Sequence, residues 1–159
     1  NWLWEIGRSI KHKGYIRPSV NRKKFVLQNY IPNMNGDYKI LIFGKKYFVL
    51  QRHPKAGDFR ASGSGLRFFT KEIPNDLLAF AKHIFIELGV PNASLDIGFD
   101  GKKFHLIEFQ LVYFGSYTLT CSTFYWQYCD LTNSFKLIEG HLELEDVYSE
   151  SIVEYIDTL

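Results

Sequence analysis

Two acidic residues interrupt apolar segments on either side of a tight turn. Asp96 and Glu108 each lie between two large apolar residues, and an Asp-Gly dipeptide at 100–101 separates the two segments. Asp-Gly is typical of hairpin turns because Gly adopts positive φ readily, so residues 95–110 predict two short antiparallel strands. Removing a carboxylate from water is costly unless a cation or hydrogen bonds compensate it. We therefore expect both acids to face a partner or a ligand.

The chemistry that these residues offer is the binding of a hard cation. Gln110 follows Glu108 by two residues and so lies on the same face of its strand. Together with Asp96, it gives three oxygen-bearing side chains, the ligand type that Mg²⁺ prefers when it also binds phosphates. The alternative is structural: each acid caps a turn or pairs with a nearby lysine, such as Lys102 or Lys103.

The elements around the hairpin predict an α+β fold. Strands are expected over 25–31, 38–43 and 47–50, forming an antiparallel meander joined by short turns. Residues 76–88 carry a broad apolar stripe typical of a helix, with Asn75 as the expected N-cap. A meander, a helix and a hairpin in this order indicate an antiparallel sheet with packed helices.

The loop between the meander and the helix is rich in glycine and arginine. Residues 52–65 are flanked by Arg52, Arg60 and Arg67, whose guanidinium groups match phosphate and carboxylate geometry. The loop therefore favours anion binding, although a plain linker is the alternative. In the last third, the aromatic residues of 117–129 and the apolar spacing of 147–159 each predict a helix.

Composition sets limits on the class of protein. The chain has 159 residues, of which 46% are hydrophobic, which is enough for a core in one domain or two small lobes. The net charge of +2 does not identify a partner, and the basic stretch within residues 1–24 is read as a solvated face, so nucleic acid is not favoured. The two cysteines have neither metal-site nor disulfide-framework spacing, which indicates a cytoplasmic setting. No apolar run approaches the roughly 20 residues that span a bilayer.

Taken in order, these motifs resemble the C-terminal half of the ATP-grasp superfamily over residues 25–111. The branch that it is most similar to ligates amino acids to carboxylates. Five short segments, in the order and spacing of that family, carry the resemblance: Gln28-Asn29-Tyr30-Ile31, Asp37-Tyr38-Lys39, Gly57-Asp58-Phe59-Arg60-Ala61-Ser62, Leu95-Asp96-Ile97 and Ile107-Glu108-Phe109-Gln110, the last two being the metal strands.

The resemblance implies roles for individual residues. Arg60 would face the transferring phosphoryl group or the acyl phosphate as the catalytic residue. The metal, Mg²⁺ or Mn²⁺ in its place, would be held by Asp96, Glu108 and Gln110, with Gln110 standing where the family usually has Asn. The ATP contacts are assigned to Gln28, Asn29, Tyr30, Ile31, Asp37, Lys39, Arg52 and Ser62.

The resemblance also implies a function and a division of the chain. Residues 1–24 would be a basic, partly helical lead-in from a missing N-terminal part, 25–111 the ATP-grasp core, and 112–159 an aromatic helical extension. The expected activity is an ATP-dependent ligase that activates a small-molecule carboxylate as an acyl phosphate for attack by an amine. A chain that begins without Met is expected to be a fragment that does not turn over substrate alone. Two alternatives stay open: a non-catalytic binding module for an anionic partner, and a small-molecule kinase of the same fold.

Overall fold

A computed structural model describes residues 27–58 and 61–159 of the chain. Contacts divide the chain into two units, residues 1–30 and 31–159, and all the described helices and strands belong to the second. Residues 27–30 of the first unit are exposed and form neither helix nor strand. None of the helices in the described ranges is long and apolar enough to cross a membrane.

Four neighbouring strands form one part of an antiparallel sheet. Strand β1 (Asp37–Phe43) pairs with β2 (Lys46–His53) on one side and with β4 (Asn92–Phe99) on the other. Strand β5 (Phe104–Gln110) pairs with β4 and forms one edge. Residues 40–43 of β1 are almost completely buried because both faces of the sheet are covered at this position. Such continuous apolar runs are typical of strands buried on both faces.

The other three strands extend the sheet beyond β2. Strand β3 (Leu66–Phe68) pairs with the end of β2, whereas β6 (Phe124–Cys129) pairs with its beginning. Strand β7 (Ser134–Glu139) pairs with β6 and completes the order β5-β4-β1-β2-β6-β7. The described part of the chain is therefore an α+β fold with a seven-stranded antiparallel sheet and three helices.

The helices cover opposite faces of the sheet. Helix α1 (Leu77–Leu88) packs on one face, against a core cluster that includes Ile40, Val49 and Leu95. Helices α2 (Tyr117–Thr120) and α3 (Leu144–Ile156) pack on the other face, against a second cluster around Phe43 and Phe48. Neither cluster contains the charged residues of β1, β2 and β4 that lie on the second face.

Several predicted elements are confirmed. The hairpin of residues 95–110 is present as β4 and β5, the meander strands 38–43 and 47–50 as β1 and β2, and the last helix as α3. Helix α1 matches the predicted span 76–88 to within a residue, but its N-cap is Asp76 and not Asn75. Gly89 ends it in a left-handed conformation with φ of 59°.

Two predicted elements are wrong. Residues 27–31 of the expected strand 25–31 form no strand, because both hydrogen-bonding edges of β1 are already occupied by β2 and β4. The helix expected over 117–129 is limited to α2, and residues 124–129 form β6. Alternate aromatic residues of β6 face the two core clusters, which is a strand pattern that aromatic density alone did not reveal. The expected division of the chain at residues 24 and 111 stays a prediction.

Candidate functional site

Four charged residues meet on one face of the sheet, the face on which α2 and α3 also pack. Asp37 and Lys39 lie on β1, Arg52 on β2 and Asp96 on β4. Asp37 is paired directly with Arg52 across the strands, and Lys39 directly with Asp96. Directly opposed residues of antiparallel strands place their side chains on the same face. We call these four residues the charged cluster.

The charged cluster is a closed network of ion pairs. Arg52 donates from Nε to Asp37 Oδ1 at 2.6 Å and from Nη2 to Asp37 Oδ2 at 2.7 Å. The same Nη2 lies 2.8 Å from Asp96 Oδ2, and Lys39 Nζ lies 3.2 Å from Asp96 Oδ1. Lys39 Nζ also donates to Ser94 Oγ at 2.9 Å. Both oxygens of Asp96 therefore already face a cation.

Burial makes this pairing necessary. Asp37, Arg52 and Asp96 expose only 7%, 8% and 9% of their surface. Burial by itself would lower the pKa of Arg52, but hydrogen bonds to Asp37 and Asp96 outweigh it and raise that pKa. Burial also raises the pKa of Asp37, against the opposing effect of Arg52. Arg52 is therefore a permanent cation whose charge is held by two carboxylates.

The predicted metal ligands lie beside this cluster. Glu108 is paired directly with Asp96 across β4 and β5, and Gln110 is paired with Ser94. Gln110 donates from Nε2 to Glu108 Oε1 at 2.9 Å, and Glu108 is exposed at the sheet edge. A β-bulge follows immediately after the Asp96–Glu108 pair. Bulges of this kind redirect side chains, often near functional sites.

The donor chemistry of these residues fits a hard cation. Asp96, Glu108 and Gln110 offer carboxylate and amide oxygens on one face, as Mg²⁺ prefers. The described residues contain no group of three or more His, Cys, Asp or Glu that could hold a metal. The proposed trio has two carboxylates, and its third member, Gln110, is an amide. A cation at Asp96 has to compete with Arg52 and Lys39, so the bridges of Asp96 must open or be shared.

The remaining predicted site residues belong to the first unit, to other parts of the second unit, or to residues outside the described ranges. Gln28, Asn29 and Tyr30 belong to the first unit, and Ile31, at the start of the second, is half-buried. Ser62 is exposed in a turn in which the Ser64 amide donates to the Ala61 carbonyl at 3.2 Å. Arg60 lies outside the described residues. Its role as the catalytic residue stays a prediction.

Ser94 and Arg67 lie next to the charged cluster, although no role in ATP binding was predicted for either of them. Ser94 precedes Asp96 by two residues, and this spacing was the signal that could have placed it on the same face. Arg67 on β3 is paired directly with Arg52, and its guanidinium carbon lies 4.8 Å from the ring centroid of Tyr117. The row of cations therefore continues from β1 and β2 onto β3.

Two grooves of the second unit lie away from the charged cluster. One groove of about 610 Å³ lies between α1 and the β6–β7 hairpin, and another of about 620 Å³ lies between α1 and the end of α3. Of the predicted site residues that the structure describes in the second unit, none lines either groove. No protein-family model, curated protein or solved structure matched the chain. Its function therefore has to be inferred from its own residues and their geometry.

Proposed function

We propose that this chain forms the Mg-ATP-binding portion of an ATP-grasp ligase that joins a carboxylate to an amine. The observation that carries the proposal is the direct pairing of Asp96 with Glu108, with Lys39 and Arg52 on the two strands beyond. Oxygen ligands and cations thus lie side by side on one face of an antiparallel sheet. Phosphoryl transfer requires this combination because its transition state spreads negative charge over phosphate oxygens.

Each residue has a distinct part in the proposed reaction. Asp96, Glu108 and Gln110 would hold Mg²⁺, which when bound neutralises charge on the phosphate oxygens. Lys39 and Arg52 would bind phosphate oxygens directly, Arg52 with its planar fork. A substrate carboxylate attacks the γ-phosphorus and releases ADP, giving an acyl phosphate. An amine then attacks the acyl carbon, and phosphate leaves as the amide forms.

The ion pairs of Asp96 predict that metal and nucleotide bind cooperatively. Without nucleotide, Arg52 and Lys39 neutralise Asp96 and weaken it as a ligand. A triphosphate offers the two cations another anionic partner, so Asp96 becomes available to the metal. Coupling between two ligands is reciprocal, so the metal should strengthen nucleotide binding by the same factor.

Calorimetry with ATP tests the proposal. We expect Mg²⁺ to strengthen ATP binding by at least about tenfold in the wild type, and Glu108→Gln to remove most of that gain. Glu87→Gln is the matched control, because Glu87 is an exposed acid of α1. The metal assignment would be refuted if Mg²⁺ did not change the ATP affinity of the wild type. It would also be refuted if Mg²⁺ increased the ATP affinity of Glu108→Gln as much as that of the wild type.

The closed network of ion pairs favours a second function, a non-catalytic module in which the charged cluster is structural. Two acids and two bases compensate each other completely within the cluster. The binding module predicts no Mg²⁺-dependent ATP binding. The ligase predicts ADP release by the complete protein in the presence of a carboxylate and an amine. A complete wild-type protein that releases no ADP above background would favour the module.

A further inference from the structure

The groove between α1 and the β6–β7 hairpin carries a cation without a counter-ion. Lys82 of α1 lines the groove, and its Nζ lies 3.6 Å from the ring centroid of Tyr128 on β6. Lys82 forms no ion pair with any residue of ranges 27–58 and 61–159. Its contact with the ring is a cation–π interaction, which orients the ammonium group without neutralising it. Lys82 therefore retains its full charge in a half-buried position.

The ring below Lys82 is fixed by its neighbours. The hydroxyl group of Tyr128 donates to Asn133 Oδ1 at 2.7 Å, and its ring centroid lies 5.2 Å from that of Phe135. Trp126, two residues earlier on β6, lines the same groove. The floor of the groove is thus aromatic and held in place by its neighbours, with Trp126 and Tyr128 exposing 6% and 9% of their surface to a flat apolar group.

The other polar residues of the groove restrict the charge of a ligand. His83 lies next to Lys82, whereas Asp76 lies at the start of α1, about 9 Å along the helix axis from Lys82. Asp76 forms no side-chain cap to α1, so its carboxylate adds a negative charge to the rim. A ligand with one anionic group can contact Lys82 and avoid Asp76. An extended polyanion would contact both Lys82 and Asp76, and Asp76 would repel it.

The backbone is held in an uncommon conformation at two points of this groove. Asp76 and Asn133 have φ of 65° and 48°, and they are two of the three described non-glycine residues with positive φ. Both residues line the groove. Left-handed residues of this kind cluster at ligand sites, where the surrounding structure maintains them.

We propose that this groove binds a small aromatic monoanion, of the aryl carboxylate class, with its carboxylate on Lys82 and its ring on the aromatic floor. The groove lies on the face of the sheet that α1 covers, opposite the charged cluster. The site is therefore separate from the proposed ATP site and does not depend on it. A half-buried cation and an aromatic surface supply the orientation and the apolar contact that such a ligand needs.

A titration followed by amide chemical shifts, with benzoate as the probe, tests the site. We expect benzoate to shift the amides of residues 73–86 and 126–135, and the neutral isostere benzyl alcohol to bind at least about tenfold more weakly, because it lacks the charge-assisted hydrogen bond. Shifts spread over the whole surface, or equal binding of the two probes, would overturn the proposal. So would ATP competing with benzoate in the groove, because the rim carboxylate of Asp76 should exclude it.

Variants of Lys82 separate binding from folding. Lys82→Met should weaken benzoate binding at least about tenfold, whereas Lys82→Arg should keep it within about threefold. Lys136→Met is the matched control, since Lys136 is an exposed lysine of β7 whose side chain leaves from the face opposite Phe135. If Lys82→Met binds benzoate like the wild type, or if Lys136→Met loses as much affinity, the assignment is wrong. If the Met variant does not fold, the benzoate affinity of Lys82→Arg is the test, and a loss of much more than about threefold would contradict the assignment.

Discussion

The two faces of this sheet differ in whether their charged side chains have oppositely charged partners. On the face where α2 and α3 pack, Arg52 contacts two buried carboxylates and Lys39 contacts one of them, so each of these four charges has a partner. On the face that α1 covers, Lys82 lies over the ring of Tyr128 and forms no ion pair within the described part of the chain. A buried charge requires a partner for the chain to fold, whereas a half-buried one can leave its charge for a ligand. The two regions therefore differ in what a mutation should cost.

The largest effect should come from removing the shared cation of the charged cluster. Arg52→Met leaves Asp37 without its bidentate partner and Asp96 with Lys39 alone. Breaking one side of a buried ion pair costs about 3–5 kcal/mol of unfolding free energy. Urea unfolding followed by circular dichroism measures the loss.

The matched control is the neighbouring arginine. Arg67 on β3 is exposed and stacks on Tyr117, so Arg67→Met should cost less than about 1 kcal/mol. Lys82→Met should fall in the same small range. Equal losses for Arg52→Met and Arg67→Met would mean that the charged cluster is not a buried, coupled network.

A smaller effect is expected on the other face. Tyr128→Phe removes the hydroxyl group that donates to Asn133 but keeps the ring beneath Lys82. The lost hydrogen bond should cost about 1 kcal/mol of unfolding free energy. Benzoate affinity should change by less than about threefold, because Lys82 remains in place. A much larger loss of affinity would indicate that the hydroxyl group, and not Lys82, holds the ligand.

The smallest effect should come from a half-buried hydrogen-bonded pair, His105 and Asp100, at the hairpin turn. The hydrogen bond from His105, together with the amides of Lys103 and Lys102, lowers the pKa of Asp100 below its ordinary value of 3.8. Since the folded-state pKa is depressed, the ionised form stabilises the fold above the unfolded-state value. This stabilisation is lost as the pH falls through the folded-state pKa.

Asp100→Asn keeps the acceptor oxygen of the turn and removes its charge. The wild type should therefore be slightly more stable than the variant at neutral pH, and the difference should shrink as the pH falls below the unfolded-state pKa of 3.8. Urea midpoints of both proteins between about pH 7 and about pH 2.5 test this. A difference that stays constant with pH would show that the charge of Asp100 does not contribute.

Local patterns predicted the parts of the fold that local interactions decide. The Asp-Gly turn and the alternation around it placed Asp96 and Glu108 on paired strands, and the apolar stripe of 76–88 placed α1. Both depend on residues that are close in sequence. The strand β6 was missed because its aromatic residues suit a buried helix as well as a strand, and its pairing with β2 is distant in sequence.

The sequence by itself determined that Asp96 and Glu108 need compensation, because it places acids within apolar strands. It also placed the two on neighbouring strands, but the β-bulge between Asp96 and Ile97, which no turn residue predicts, is what sets Glu108 directly opposite Asp96. Only the tertiary structure decided what compensates Asp96. Lys39 lies 57 residues earlier in the chain, and Arg52 reaches Asp96 from a strand that is not its neighbour. Strand order brings these residues together, and strand order is a property of the whole sheet that no local pattern contains.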